Sequence, residues 1–307
     1  MRSSNWDSIV ETSWQDLRFA ARMLRKSPGF TSVATLTLAL GIGASTSIFS
    51  VVDAVLLRAL PYPNPEQIVR VWEQSPDGHR MNLADPNFDD FLAQNNTLDS
   101  LAVYGFGLSS VSGGSEPVRL NIAAVSSHFF QVLGVAPFRG RAFAPDLQRL
   151  HGAPAVIVSH NYWQSYLGGA YQVVGVMPQG FEFPAGVQAW IPRELDSDTP
   201  SRTAHNWRGV GRLRDGVTVA QARANLGAIA RRIRDQYGKE VDLDDAAVAP
   251  LADEMVGDVR TALLTLLGGV GLLLLVACAN VTALLLVRTS TRVKELAVRP
   301  AVQTKMA

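Results

Sequence analysis

Hydrophobic and polar positions divide this chain into three regimes. Residues 29–52 and 261–287 contain no charged side chain, whereas residues 58–258 mix polar and apolar positions throughout. Each uncharged run predicts a membrane-spanning helix, because ~20 apolar residues rising ~1.5 Å each match a hydrocarbon core of ~30 Å. A cleaved signal peptide carries an apolar region of only ~7–15 residues. Residues 29–52 exceed that length, and no clear small-x-small cleavage site follows them before Arg58. A buried helix of a soluble protein is the alternative for the second run. LLTLLGGVGLLLLVACANVTALLLV is apolar on every face, which suits lipid better.

Finer periodicities place the other elements. Trp14, Leu17, Ala21 and Leu24 recur at helical spacing within residues 13–26, with Arg18, Arg22 and Arg25 on the adjacent face. An apolar stripe beside cations suits the inner membrane surface. Ser27-Pro28-Gly29 then breaks the helix. In the middle region, strands are predicted at 67–73, 155–159, 172–177, 187–191, 207–213 and 245–251, with two or three more in 99–126 around Gly113-Gly114. Helices are predicted at 86–94 with Asp85 as N-cap, at 127–133, at 160–166 and at 219–237, and residues 137–141 read as a loop. Ala222, Leu226, Ile229, Ile233 and Tyr237 share one side of the 219–237 helix. Strands and helices mix without a βαβ repeat, so the fold class is α+β. The domain plan is an elbow (1–28), a first span (29–57), an outer domain (58–258), a second span (259–287) and a tail (288–307).

Charge orients this plan. Arg18, Arg22, Arg25 and Lys26 precede the first span, and Arg288, Arg292, Lys294, Arg299 and Lys305 follow the second. Basic residues beside a span are retained in the cytoplasm, which predicts cytoplasmic termini and an outward-facing middle region. The overall charge of +1 conceals this division. The one cysteine, Cys278, falls in the second span, so the outer domain can form no disulfide and is held by packing. Ala39, Gly43 and Ser47 are spaced by four in the first span, and Asn280 lies near Ala279 and Ala283 in the second. Small residues let helices approach and an amide can hydrogen-bond across them, so these four are candidate helix-packing residues.

Catalytic chemistry finds little support. No G-x-x-x-x-G-K-[ST] loop is present, so ATP is not bound in that manner. His79, His128, His151, His160 and His205 show no metal-ligand spacing, and Asp242, Asp244 and Asp245 lack the glycine and distal Glu of a calcium loop. Serines beside His128 and His160 do not make a triad without a nucleophile elbow. Arg231, Arg232 and Arg234 ride on a helix with a buried face, which gives nucleic-acid binding little basis. No enzyme and no cofactor is expected.

Several stretches are recognisable as a set. DLRFAARMLRKSPGFTSVATLTLALGIGASTSIFSVVDAVLLRALPYPNPEQIVRVWE, HFFQVLGVAPFRGRAF, VVGVMPQGFEFP, GVGRLRDGVTVAQARANLGAIARRI and LLLLVACANVTALLLVRTSTRVKELAVR occur in order over nearly the whole chain. Together they resemble bacterial ABC-transporter permeases of the MacB/FtsX type, in particular the duplicated permeases of acidobacteria. The resemblance implies a MacB-like extracytoplasmic core of two lobes, the inserted lobe near residues 115–200, in a multi-pass protein of the bacterial inner membrane. It implies ATP hydrolysis on a separate cytoplasmic ABC subunit, driving export or transmembrane signalling. Arg292, Lys294, Glu295 and Arg299 would meet that ATPase. Membrane lipids, a second permease copy and a periplasmic adaptor are the other implied partners.

Three departures from the family pattern shape the expectation. Pro300 would stop or kink the helix that follows Lys294–Arg299, the third and fourth spans are missing, and Gly168–Tyr171 runs straight into the 172 strand where the family carries more residues. A truncated permease is therefore expected, with a membrane-anchored binding or signalling module, or a non-functional remnant, as the alternatives.

Overall fold

The computed structural model describes residues 28–57, 60–111, 118–148, 155–166, 172–194 and 201–303, and upstream only Trp14, Arg18, Arg22 and residues 24–26. Side chains of the last helix beyond residue 286 lie outside this description. In chain order the elements are α1 (Pro28–Val52), β1 (Ile68–Gln74), β2 (Arg80–Met81), α2 (Asp85–Gln94), β3 (Leu98–Val111) and β4 (Val118–Val125). There follow α3 (Phe129–Leu133), β5 (Arg139–Gly140), β6 (Ala155–Val158), α4 (His160–Tyr166), β7 (Gln172–Val176) and β8 (Ala189–Pro192). Last come β9 (Arg208–Leu213), α5 (Val219–Tyr237), β10 (Asp245–Pro250) and α6 (Leu251–Gln303). Contacts divide the chain into a helical unit, Met1–Arg58 with Gly257–Ala307, and a sheet unit, Ala59–Val256.

In the helical unit, Pro28–Leu56 and Val259–Ala283 are long and apolar enough to cross a membrane. Most of their side chains are exposed, as lipid-facing residues would be. Covered positions include one stripe on each helix: Ala34, Leu38, Gly41, Ser45, Ile48 and Val52 on α1, flanked by Phe30, Thr31 and Thr37, and Leu263, Leu267, Val270, Leu274, Ala277 and Val281 on α6. The steps alternate between three and four, the 3.5-residue repeat that keeps a seam facing its partner. Gly41 is the close approach. A Cβ built there would lie 3.2 Å from Leu274 Cδ1 and 3.6 Å from the Ala277 Cβ.

Ala39, Gly43 and Ser47 do not form this seam. They are exposed, and nothing lies within 4 Å of a Cβ built on Gly43. A strict four-residue spacing drifts around a 3.6-residue helix, so it marks a different face from the seam. Asn280 is likewise exposed. The hydroxyls of Thr37, Ser45, Ser47, Ser50, Thr265 and Thr282 each donate to the carbonyl four residues back. Each polar group is thereby satisfied on its own helix, which an apolar solvent demands. Gly41→Leu should lower the midpoint of detergent-denaturant unfolding by overpacking worth about 1–3 kcal/mol, with Gly43→Leu near neutral. Equal effects of the two substitutions would contradict the seam.

In the sheet unit the strand order is β10-β1-β9-β3-β4-β8-β6-β7-β5, with β2 added to β1. The pairs β4–β8 and β6–β7 are parallel and the others antiparallel, which makes a mixed sheet. The long strand β3 joins the two halves. Its residues Leu98–Tyr104 pair with β9, and Tyr104–Val111 pair with β4. Helices α2 and α5 cover one half, where Val69, Val71, Phe91, Leu101, Leu226 and Ile229 share a core.

Local chemistry explains α5. Thr218 and Gln221 form a reciprocal capping box at its start, and Ala222, Leu226, Ile229, Ala230 and Ile233 are its buried face. Three expectations need correction. Asp85 is the first residue of α2, not its cap, and no side-chain cap bond is made there. Its carboxylate serves instead as acceptor for the Trp207 indole N–H and as partner of Arg193. Residues 137–141 include the short strand β5, because Gly140 (φ 78°) lets the backbone close against Val174 and Gly175. Helix α6 passes through Pro300 to Gln303; a proline there removes one intrahelical bond within the last turn, and the helix continues.

Candidate functional site: an aromatic base and a charged clasp

The sheet unit is entered and left by segments that plug into one aromatic core. Leu60 packs against this core and Tyr62 is buried in it, just after the π-helical turn Asp53–Leu57 that ends α1. Leu251, the first residue of α6, is 1% exposed and belongs to the same cluster. The cluster also holds Phe129 and Phe130 of α3, Phe143, Phe181, Phe183 and Trp190 of β8. The Tyr62 ring lies 6.3 Å from both Phe181 and Phe183, edge-on to each. Its hydroxyl is pushed up to about 12, by burial first and Glu182 second. Trp190 is fully buried, and its indole N–H donates to the Phe183 carbonyl at 3.1 Å.

A second constellation closes the other side of β1. Glu73 is buried, accepting from the Ala84 backbone N–H at 2.8 Å and the Asn87 amide at 3.1 Å. His205 Nδ1 lies 3.3 Å from a Glu73 oxygen and 2.9 Å from the Asn82 carbonyl. Its Nε2 faces both oxygens of Asp242 at 3.0 Å. Among the described residues each hydrogen-bonding partner of the ring is an acceptor, an arrangement that favours a proton on both nitrogens, as in an imidazolium. The Glu73 hydrogen bond first, and Asp242 with it, outweigh burial and raise His205 to about 9. Burial pushes Glu73 upward, opposed by its bonds from His205, Ala84 and Asn87.

By distance alone, ligand atoms of Glu73, His205 and Asp242 lie within 4.8 Å of one another, close enough to share a metal ion. The all-acceptor surroundings of the ring favour the proton. Arg202 extends the clasp, donating to Asn87 at 2.7 Å and pairing with Asp90 at 2.8 Å. Arg193 is buried 2.6 Å from Asp85 between the rings of Phe88 and Trp207. These bonds tie the segment after β8 and the segment before β9 to α2.

The sequence-predicted site residues lie elsewhere. Ala39, Gly43, Ser47 and Asn280 are on exposed faces of the helical unit. Arg292, Lys294, Glu295 and Arg299 fall on α6, and their side chains lie outside the described residues. Sequence reasoning missed Tyr62, Glu73, Arg193 and His205. One signal was present: QIVRVWE places an arginine and a glutamate inside a strand that is otherwise apolar.

The described residues form a mixed α+β sheet unit and two helices long and apolar enough to cross a membrane, with an aromatic core at the sheet unit's entry and exit. The model of the MacB-like periplasmic core domain matches residues 31–229, and the chain belongs to that family. The family is a membrane-embedded ABC-type permease component and not itself an enzyme; such permeases work with ABC ATPase partners. Similar solved structures include a domain of a protein described as a permease from Porphyromonas gingivalis (12% identity, 62% of this chain, 92% of that one, TM-score 0.48). Others are the periplasmic region of MacB from Actinobacillus actinomycetemcomitans (11%, 67% and 98%, TM-score 0.46) and the extracellular domain of the ABC-type transporter YknZ from Gram-positive bacteria (12%, 59% and 99%, TM-score 0.42). No curated protein sequence matches the chain.

Proposed function

We propose that this chain is a permease subunit, or the N-terminal part of one, of a MacB/FtsX-type ABC transporter. ATP hydrolysis on a separate cytoplasmic subunit moves the spans, and the core domain converts that motion into export or signalling. The observation that carries this reading is the shared anchorage of Tyr62 and Leu251 in one aromatic core. Close-packed interiors transmit displacement instead of absorbing it. The basic flanks support cytoplasmic termini and an extracytoplasmic core. In this reading the outward stripe of Ala39, Gly43 and Ser47, with Asn280, packs against spans of another permease copy.

The test uses the full chain reconstituted with its cognate ATPase. Cys278 is replaced by serine, and an environment-sensitive dye is placed on Phe138→Cys, an exposed position. ATP should change the dye emission in this parent and fail to do so once Tyr62→Ala and Leu251→Ala are combined. No ATP response in the parent, or an equal response in the variant, refutes the coupling. The tail is tested separately. Glu295→Arg with Arg299→Glu should reduce capture of the ATPase at least tenfold in a pull-down, and undiminished capture would exclude this contact.

A further inference from the structure

The face of the sheet unit opposite the clasp holds two neighbouring arginines, Arg70 and Arg208, with Glu254 acting on Arg70 from beyond ion-pair distance. Arg70 of β1 is buried, and its guanidinium donates to neutral acceptors, Tyr104 Oη at 3.3 Å and the Gly209 carbonyl at 3.1 Å. Its guanidinium also lies over the rings of Trp72 at 5.0 Å and Tyr104 at 5.6 Å. Arg208 of β9 sits 4.7 Å from the Phe106 ring. Both arginines line one cavity of about 300 Å³, whose acidic lining residue is Glu254. Among the described residues neither arginine has a carboxylate within ion-pair distance. Burying a guanidinium without a counter-charge is costly, and a second cation beside it adds repulsion.

The cavity does not end in polar surface. Phe106 and Ala185 are shared with an adjoining open trough of about 510 Å³ that continues along Leu108 and Val187. Phe106 is 52% and Leu108 67% exposed, on a strand whose earlier residues Leu101–Tyr104 are buried. Cationic head and apolar trough are therefore continuous.

We propose that this cavity and trough bind a single-chain anionic amphiphile, its carboxylate or phosphate head between Arg70 and Arg208 and its alkyl chain along Phe106 and Leu108. Charge complementarity fixes the sign of the head, since two guanidinium groups outnumber the one carboxylate, Glu254, in the lining and an anion can pair with both. Volume fixes its size, because about 300 Å³ is the lower end for ligand pockets and suits a small head. The open trough adds chain burial, worth about 0.8 kcal/mol per methylene removed from water. Binding is a property of this chain alone and stands apart from ATPase coupling, so either reading can fail without the other.

Native mass spectrometry of the full chain in a neutral maltoside detergent tests the site, with dodecyl phosphate, dodecanol, inorganic phosphate and a two-chain phosphatidylglycerol as probes. Dodecyl phosphate should be retained at one per chain and at least tenfold more tightly than dodecanol or inorganic phosphate. Arg208→Gln and Leu108→Asp, both at exposed positions, should each weaken it at least tenfold without moving the unfolding midpoint. Unchanged retention in either variant overturns the site. Equal retention of dodecanol removes the role of the arginines, and equal retention of inorganic phosphate removes the role of the trough. Tighter binding of phosphatidylglycerol would make the occupant a bilayer lipid and end the single-chain assignment.

Discussion

Trp190→Ala is expected to lower the unfolding free energy of the sheet unit by about 3–5 kcal/mol. The indole is fully buried, with Phe181 at 5.3 Å and Phe130 at 6.0 Å between ring centroids. Truncation removes its apolar area from the core and leaves a cavity that the surrounding rings cannot all collapse into. It also strips the Phe183 carbonyl of its donor, and an unpaired buried acceptor adds a further penalty. Trp163, half-buried on α4 beside a smaller cluster, provides the comparison, and its replacement by alanine should cost much less. Urea unfolding of the full chain in neutral detergent, followed by far-ultraviolet circular dichroism, measures both. A loss below about 1 kcal/mol at Trp190 would mean that these rings do not form one packed core. Because Tyr62 and Leu251 share that core, a destabilised Trp190 variant should also lose the ATP response proposed above.

Elements governed by local periodicity were legible in the sequence, and those governed by distant partners were not. Helix α5 has the bounds its pattern predicts, because an apolar face at 3.6-residue spacing and a capping pair are properties of adjacent residues. The α+β class follows similarly from the mixture of periods. Strand β1 shows the limit. Alternation in QIVRVWE reads as a half-exposed strand, yet Ile68–Glu73 are all buried, because β1 lies inside the sheet with both faces covered. Whether its arginine and glutamate face water depends on Gly209, Tyr104 and His205, which no window around β1 contains. The span seam was missed for a related reason. A four-residue stripe of small side chains is visible, whereas the observed seam of mixed Ala, Leu, Gly, Ser and Val positions becomes evident only against its partner helix. The aromatic base was hidden as well, since Tyr62, Trp190 and Leu251 come from three separate segments.

Raising the pH from 6.5 to 9 is expected to remove on the order of 2 kcal/mol of stability from the sheet unit through His205, because its folded value of about 9 stands above the ordinary 6.5 while solvent screens part of the effect. The folded value is about 9 against an ordinary 6.5, so the folded state holds its proton more tightly than the unfolded chain. Its contribution is complete below pH 6.5 and declines as pH rises through about 9, where the ring becomes neutral between Glu73 and Asp242. Glu73 acts with the same sign but from a lower starting point. Burial raises it, so its contribution is complete below the ordinary carboxylate value and declines above it. Asp242→Asn should halve the alkaline loss, more or less, because it removes one of the two carboxylates facing the ring. His205→Gln should flatten the profile between pH 6.5 and 9, while lowering stability at neutral pH by leaving the buried Glu73 without its cationic partner. Urea midpoints across this range read both effects. A parent profile that is already flat would show that the ring is not protonated in the folded chain, and the all-acceptor geometry around it would then demand a bound cation in place of the proton.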